Sequence, residues 1–223
     1  MSMHSLNSEN KNNLIKFEKI QHSFFANYEK LFLEKISLIV PRFIKSSHLT
    51  LITILWSLLI IIFSFLAQYN YLWLLASSVV IIFHCLTDAL DIEIEKREKN
   101  IKKYWNFYID HILDYFFLIA IIIGYSLVLS SFNGYLLASS LVVSCSFMTN
   151  SFLYLAITNR FKIAYFKIGP TEGKFLFIAI NLMIILLEER YVIFFIKLLV
   201  LFLAVILILI IYKNQHNLLQ NRP

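Results

Sequence analysis

The sequence predicts an all-α integral membrane protein, in which an N-terminal amphipathic helix at the membrane interface precedes six transmembrane helices. Hydrophobic residues make up 59% of the 223 positions, and only four glycines and three prolines are present. The apolar residues gather into six long segments separated by polar ones. Soluble domains are much less apolar, whereas a helix of about 20 apolar residues crosses a bilayer. The composition therefore excludes an ordinary soluble globular protein.

The part of the chain before the first apolar segment is polar and then amphipathic. Residues 1–13 are rich in asparagine, which predicts a disordered terminus. For residues 14–48 we expect an amphipathic interfacial helix and an entry segment, because apolar residues recur at helical spacing from Phe17 and lysines occupy polar positions. Pro41 should end this helix. No signal peptide is expected, since the first long apolar run begins too late.

The transmembrane domain is predicted at residues 49–212, followed by a cytoplasmic tail at residues 213–223. Its six spans are expected at residues 49–67, 71–87, 107–130, 135–158, 175–187 and 191–212. The fifth segment is short for a bilayer. We therefore expect it to tilt or to include residues of the preceding loop.

The basic residues predict the orientation of these helices. Of the lysines and arginines, seven lie before the first segment, five between the second and third, and four between the fourth and fifth. The loops on the opposite side hold only Arg190. By the positive-inside rule, both termini and the two long basic loops are predicted to be cytoplasmic. This topology also explains the net charge of +6 without a nucleic-acid partner.

Four aspartates stand where apolar segments meet charged sequence. They form two short pairs, Asp88 with Asp91 and Asp110 with Asp114. On a helix, spacings of three and four residues place each pair on one face. Carboxylates are costly at a membrane, and clustered carboxylate oxygens suit Mg²⁺ or Mn²⁺. The aspartates therefore predict a site for divalent cations of the kind that assists phosphoryl transfer.

The spacing of these aspartates resembles the signature of the CDP-alcohol phosphotransferase family, D-x(2)-D-G-x(2)-A-R-x(8)-G-x(3)-D-x(3)-D. All four aspartates are present. The two glycines of the signature are replaced by Ile92 and Asn106, and its alanine by Glu95. Its arginine corresponds either to Lys96, in register, or to Arg97, one residue later.

Two further elements are similar to that family. Residues 41–50 resemble the proline-containing entry to its first span. The sequence Gly169-Pro170-Thr171-Glu172-Gly173 is similar to the G-P-x-E-G element of the choline- and ethanolaminephosphotransferase branch. The same branch places a histidine directly after its third aspartate, as His111 stands here.

The resemblance implies a role for each of these residues. Asp88, Asp91, Asp110 and Asp114 would hold two divalent cations, Mg²⁺ or Mn²⁺. His111 would be the general base, with Glu172 orienting it and Asp114 as the rival base. Phosphates of the nucleotide would be contacted by basic residues of the second loop: Lys96, Arg97, Lys102 and Lys103. We assign His48 and His84 to interfacial or packing positions.

The function implied by the resemblance is transfer of phosphocholine or phosphoethanolamine from a CDP-alcohol to a lipid hydroxyl such as that of diacylglycerol, with release of CMP. One alternative is phosphatidyl transfer from CDP-diacylglycerol to a small polar alcohol. Another is a non-catalytic protein that binds metal or nucleotide or transports cations. A homodimer and a bacterial inner membrane are further expectations, the latter because no organellar targeting sequence is evident.

Overall fold

The computed structural model describes residues 18–20, 45–97, 103–158, 160–162 and 170–220. In this part of the chain the architecture is all-helical apart from two three-residue strands. The strands are β1 (Glu18–Ile20) and β2 (Arg160–Lys162). The helices are α1 (Ser46–Ala67), α2 (Trp73–Arg97), α3 (Lys103–Val128), α4 (Gly134–Thr158), α5 (Pro170–Leu186) and α6 (Glu189–Gln220).

Five of these helices are long and apolar enough to cross a membrane, which confirms the membrane character predicted from the sequence. They are α1, α4, α6, the part of α2 at Trp73–Ile94 and the part of α3 at Trp105–Val128. The remaining helix, α5, has 17 residues, about 26 Å at 1.5 Å per residue. It begins at Pro170, in the loop before the predicted span, because proline is well suited to the first turn of a helix.

The N-terminal prediction requires a correction where the structure describes it. Residues Glu18–Ile20 fall inside the predicted interfacial helix, yet they form β1 and pair in parallel with β2. Their backbone groups bond to a neighbouring strand instead of to the next helical turn. Residues 21–44 of the predicted helix lie outside the described part of the chain. Helix α1 then begins at Ser46, three residues before the predicted span.

The centre of the bundle is formed by α1, which packs against both α2 and α3. Ile60 of α1 and Ile121 of α3 are buried in this core. Gly124 lets the two helices approach closely, since an added Cβ would clash with the side chain of Ser64. Small residues commonly permit such close packing between membrane helices.

Two interhelical contacts attach α5 to the bundle. The amide of Asn181 is fully buried and donates to Ser78 Oγ at 3.0 Å and to the Leu74 carbonyl at 3.4 Å, both on α2. The hydroxyl of Tyr125 on α3 donates to the carbonyl of Phe177 at 3.0 Å. Polar groups have no water partners within a bilayer, so they bond between helices. These bonds hold α5 beside α2 and α3 despite its short length.

Large apolar side chains cover the outside of the bundle. Leu58 and Phe65 of α1 and Leu201, Phe202 and Ile208 of α6 are each at least half exposed. In water such a surface would be an aggregation hazard. In a bilayer it faces lipid, consistent with the membrane assignment.

Candidate metal centre

Three of the four predicted aspartates converge at one end of the bundle. Asp88 lies near the end of α2, while Asp110 and Asp114 lie near the start of α3. Two groups of possible ligands form there, His84 with Asp88 and Asp114, and Asp110 with His111 and Asp114. In each group the ligand atoms lie within 4.8 Å of one another. Asp114 belongs to both groups and therefore joins them.

His84 is the functional candidate that sequence reasoning missed. Its ring is fully buried, with Nδ1 3.3 Å from Asp88 Oδ2 and Nε2 3.6 Å from Asp114 Oδ1. The ring also stacks on Phe117, with centroids 3.7 Å apart. The assignment of His84 to simple packing was incomplete. The available signal was its position four residues before Asp88, on the same helical face.

His111 lies beside the predicted metal ligands on α3. Its Nδ1 is 3.2 Å from Asp110 Oδ2, and 14% of its side chain is exposed. The ring packs against Phe107 at 4.4 Å and Phe152 at 5.7 Å between centroids. These aromatic contacts hold the imidazole next to Asp110. The assignment of His111 as general base stays a prediction.

Asp91 is placed differently from the other three aspartates. Its buried carboxylate accepts a hydrogen bond of 2.7 Å from Thr50 Oγ1 on α1. It belongs to neither group of possible ligands among the described residues. A second hydrogen bond joins α1 to a neighbouring helix: Asn106 Nδ2 of α3 donates to Ser46 Oγ of α1 at 2.8 Å. The side chain of Asn106 therefore ties the start of α1 to α3.

Lys174 is a second functional candidate. From the sequence it is predicted only as one of the four basic residues between the fourth and fifth segments. Its ammonium group forms an ion pair with Asp88 Oδ2. Burial alone would lower the pKa of Lys174, but the negative charges of Asp88 and Asp114 outweigh that effect and raise it above its ordinary value. The lysine therefore remains charged among the carboxylates.

Glu172 lies in the first turn of α5, two residues before Lys174, and is half-buried. A carboxylate is favourable at this position because the N-terminus of a helix carries partial positive charge. The contact of Lys174 with Asp88 brings the start of α5 to the same end of the bundle as the aspartates. The predicted pairing of Glu172 with His111 stays a prediction.

Of the predicted phosphate-binding residues, the structure describes only the backbone of Lys96, Arg97 and Lys103. Helix α2 ends at Arg97, directly after Lys96, and α3 begins at Lys103. These backbone positions lie at the end of the bundle that holds the aspartates. The side chains of these residues, and Lys102 as a whole, lie outside the described part of the structure.

The donor chemistry of this region fits a divalent cation. Carboxylate oxygens from two helices and imidazole nitrogens from His84 and His111 are suitable ligands for ions such as Mn²⁺. Lys174 supplies one positive charge beside Asp88. Comparison with known proteins adds nothing to this description, since no family model, curated protein or solved structure matches the chain.

Proposed function

We propose that the protein is a metal-dependent CDP-alcohol phosphotransferase of phospholipid synthesis. It would move phosphocholine or phosphoethanolamine from a CDP-alcohol to a lipid hydroxyl such as that of diacylglycerol. The observation that carries this proposal is the convergence of Asp88, Asp110 and Asp114, from two apolar helices, at one end of the bundle. Carboxylates at a membrane boundary are costly unless positive charge compensates them, and Lys174 forms an ion pair with one of these three, Asp88.

Asp88, Asp110 and Asp114 would hold the divalent ions, with Asp91 as the fourth predicted ligand. When bound, the ions would neutralise charge on the pyrophosphate and on the departing CMP. Asp91 accepts a hydrogen bond from Thr50 through Oδ2. That bond would orient the carboxylate on the side of α2 that faces α1.

The reaction is an in-line displacement at the phosphorus that carries the alcohol head group. The oxygen of the lipid hydroxyl forms a new bond to this phosphorus, and the bond from phosphorus to the bridging oxygen of the pyrophosphate breaks. That oxygen and its electron pair leave with CMP. The proton of the hydroxyl passes to a base on the protein, so atoms and charge balance.

His111 is the proposed base. An imidazole nitrogen within reach of the hydroxyl can accept this proton. Asp110, with an oxygen 3.2 Å from His111 Nδ1, would orient the ring and leave Nε2 for the hydroxyl. Glu172 is the orienting residue that the resemblance implies. Asp114 is the alternative base, because it lies in the same ligand group as His111.

The position of the site suits a reaction between a polar nucleotide and a lipid. Asp88 lies in the second half of α2, and Asp110 and Asp114 lie in the first half of α3. The helices of the bundle carry apolar outer surfaces. A lipid alcohol can enter laterally from the bilayer, and the nucleotide can enter from water. The positive-inside rule places this end of the bundle in the cytoplasm. A bacterial inner membrane is the proposed location.

Release of CMP by the purified protein tests the proposal. The protein in nanodiscs would receive Mn²⁺ or Mg²⁺, diacylglycerol, and CDP-choline or CDP-ethanolamine in turn. We expect CMP release that requires both metal and lipid and identifies the head group. The variants His111→Ala and Asp114→Asn should lower the rate by about a hundredfold or more. His216→Ala, on the exposed end of α6, is the matched control and should keep the wild-type rate.

Other outcomes of this assay would support a different function. Activity with CDP-diacylglycerol and small alcohols, but not with CDP-choline or CDP-ethanolamine, would indicate phosphatidyl transfer. No CMP from any donor, together with metal-dependent nucleotide binding, would indicate a non-catalytic protein. An unchanged rate in His111→Ala would overturn the assignment of the base.

A further inference from the structure

We propose that His84 is a direct metal ligand through Nε2, shared with Asp114, while its Nδ1–H is held by Asp88. This inference rests on the proposed function, because it concerns the metal of the same site. It adds a nitrogen ligand to a set that the aspartates alone would make purely of oxygen. The site would therefore select Mn²⁺ over Mg²⁺.

Each nitrogen of the His84 imidazole lies close to a carboxylate, one on α2 and one on α3. Nδ1 lies 3.3 Å from Asp88 Oδ2, near enough to donate after a small rotation of the carboxylate. Nε2 lies 3.6 Å from Asp114 Oδ1, which is too long for a good hydrogen bond. Ligand atoms about 2.0–2.2 Å from one ion lie roughly 3 to 3.6 Å from each other. The separation of Nε2 and Asp114 Oδ1 is compatible with a cation bound by both atoms.

Burial of the His84 ring favours its role as a metal ligand. His84 has no exposed surface, and neither ring nitrogen makes a hydrogen bond of good geometry with the part of the chain that the structure describes. A buried polar atom without a partner destabilises the folded protein. A neutral imidazole has one N–H, so it can donate to only one of two flanking carboxylates. A cation at the other nitrogen satisfies both atoms together.

The surrounding helices fix the ring in this position. His84 and Asp88 are separated by one turn of α2, so their side chains meet on the same face. Phe117 of α3 stacks on the imidazole with an interplanar angle of 17° and limits its rotation. Metal-binding histidines commonly use a carboxylate at the second nitrogen to set the tautomer. Asp88 is placed to do this for His84.

The nitrogen ligand has a consequence for metal choice. Mg²⁺ prefers oxygen ligands and dehydrates reluctantly. Imidazole binds transition metals more readily, and affinities in a mixed site rise along the first-row series from Mn²⁺. A site with His84 and Asp114 should therefore favour Mn²⁺, whereas one made only of aspartates would accept Mg²⁺ equally well.

Electron spin echo envelope modulation of bound Mn²⁺ tests the inference directly. The full-length protein, purified without a histidine tag, would be loaded with Mn²⁺ alone. We expect nitrogen modulation from a coordinated imidazole, which shifts when histidine is labelled with a heavier nitrogen isotope. His84→Gln should abolish it and weaken Mn²⁺ binding by about tenfold or more. Its Mg²⁺ affinity should change little, because the glutamine carbonyl can act as an oxygen ligand.

Two histidine variants assign the signal even where His84→Gln fails to fold. His111→Gln removes the imidazole of the neighbouring ligand group and should keep the modulation. His216→Gln makes the same change on the exposed end of α6 and should behave as wild type. Loss of the signal in His111→Gln would overturn the inference, because the ligand would then be His111.

The failure of this inference is distinguishable from failure of the proposed function. Bound Mn²⁺ without nitrogen modulation would overturn the role of His84 and leave a carboxylate metal site intact. The same conclusion would follow from equal affinities for Mn²⁺ and Mg²⁺ in the wild-type protein. Absence of any Mn²⁺ or Mg²⁺ binding would overturn both proposals.

Discussion

The ammonium group of Lys174, at the start of α5, forms an ion pair with the carboxylate of Asp88, near the end of α2. The lysine side chain is 12% exposed, so most of the pair is shielded from solvent. The contact ties the start of α5 to the candidate metal centre. It also means that a cation of the protein and a divalent ion would share the same carboxylate.

We predict that Lys174→Met tightens Mn²⁺ binding and destabilises the metal-free protein. The ammonium would no longer compete for Asp88, while loss of one partner from a shielded ion pair costs about 3 kcal/mol. Isothermal titration with Mn²⁺ and thermal unfolding in a chelator measure the two effects. Lys213→Met, an exposed change on α6, is the control. Weaker Mn²⁺ binding in Lys174→Met would show that the lysine assists the metal instead of competing with it.

We predict that Thr50→Val lowers the free energy of unfolding by about 1.5–3 kcal/mol, the usual contribution of a hydrogen bond to a charged group. Thr50 and Asp91 are both buried, and the 2.7 Å bond between them joins α1 to α2. Denaturant titration in detergent measures the loss. Thr50→Ser keeps the hydroxyl and should recover most of the stability. An unchanged stability in Thr50→Val, which keeps the methyl group and loses only the hydroxyl, would show that the bond contributes little.

We predict that Gly124→Ala destabilises the bundle by about 1–3 kcal/mol, because the added methyl group overpacks the contact between α1 and α3. The nearest obstacle is the side chain of Ser64. Combining the change with Ser64→Ala should therefore cost less than the sum of the single changes. Gly134→Ala is the matched control, since an added Cβ there meets nothing within 4 Å. A comparable loss at Gly134 would contradict the packing explanation.

We predict that the end of the bundle that holds the aspartates faces the cytoplasm. In a background without Cys85 and Cys145, a cysteine at Tyr69, in the exposed loop after α1, should react with an impermeant maleimide added to intact spheroplasts. A cysteine at Lys213, towards the C-terminal end of α6, should react only after permeabilisation. The reverse pattern would place the candidate site outside the cell.

The helices were largely predictable because lipid imposes one rule on the whole chain. Backbone groups in a bilayer must bond within their own helix, so long apolar segments become helices almost regardless of detail. The predicted spans at residues 49–67 and 135–158 match α1 and α4 to within three residues at their ends. For α5, the expected extension into the preceding loop is confirmed by its start at Pro170.

The strand at Glu18–Ile20 could not be predicted in the same way. Its sequence shares the helical spacing of apolar residues around it, yet the structure pairs it with Arg160–Lys162, far along the chain. Local periodicity carries no information about a partner so distant. The choice between helix and strand there depends on tertiary contact.

The sequence by itself determined the membrane class, the helical segments and the placement of two aspartate pairs at helix ends, because composition and spacing act locally. Only the tertiary structure decided which groups meet. It brought His84 between Asp88 and Asp114, placed Lys174 on Asp88 and turned Asp91 towards Thr50. The pair of His84 with Asp88 follows from one turn of α2. The other contacts join residues on different helices, and they depend on how helices rotate and pack, which no spacing along one segment records.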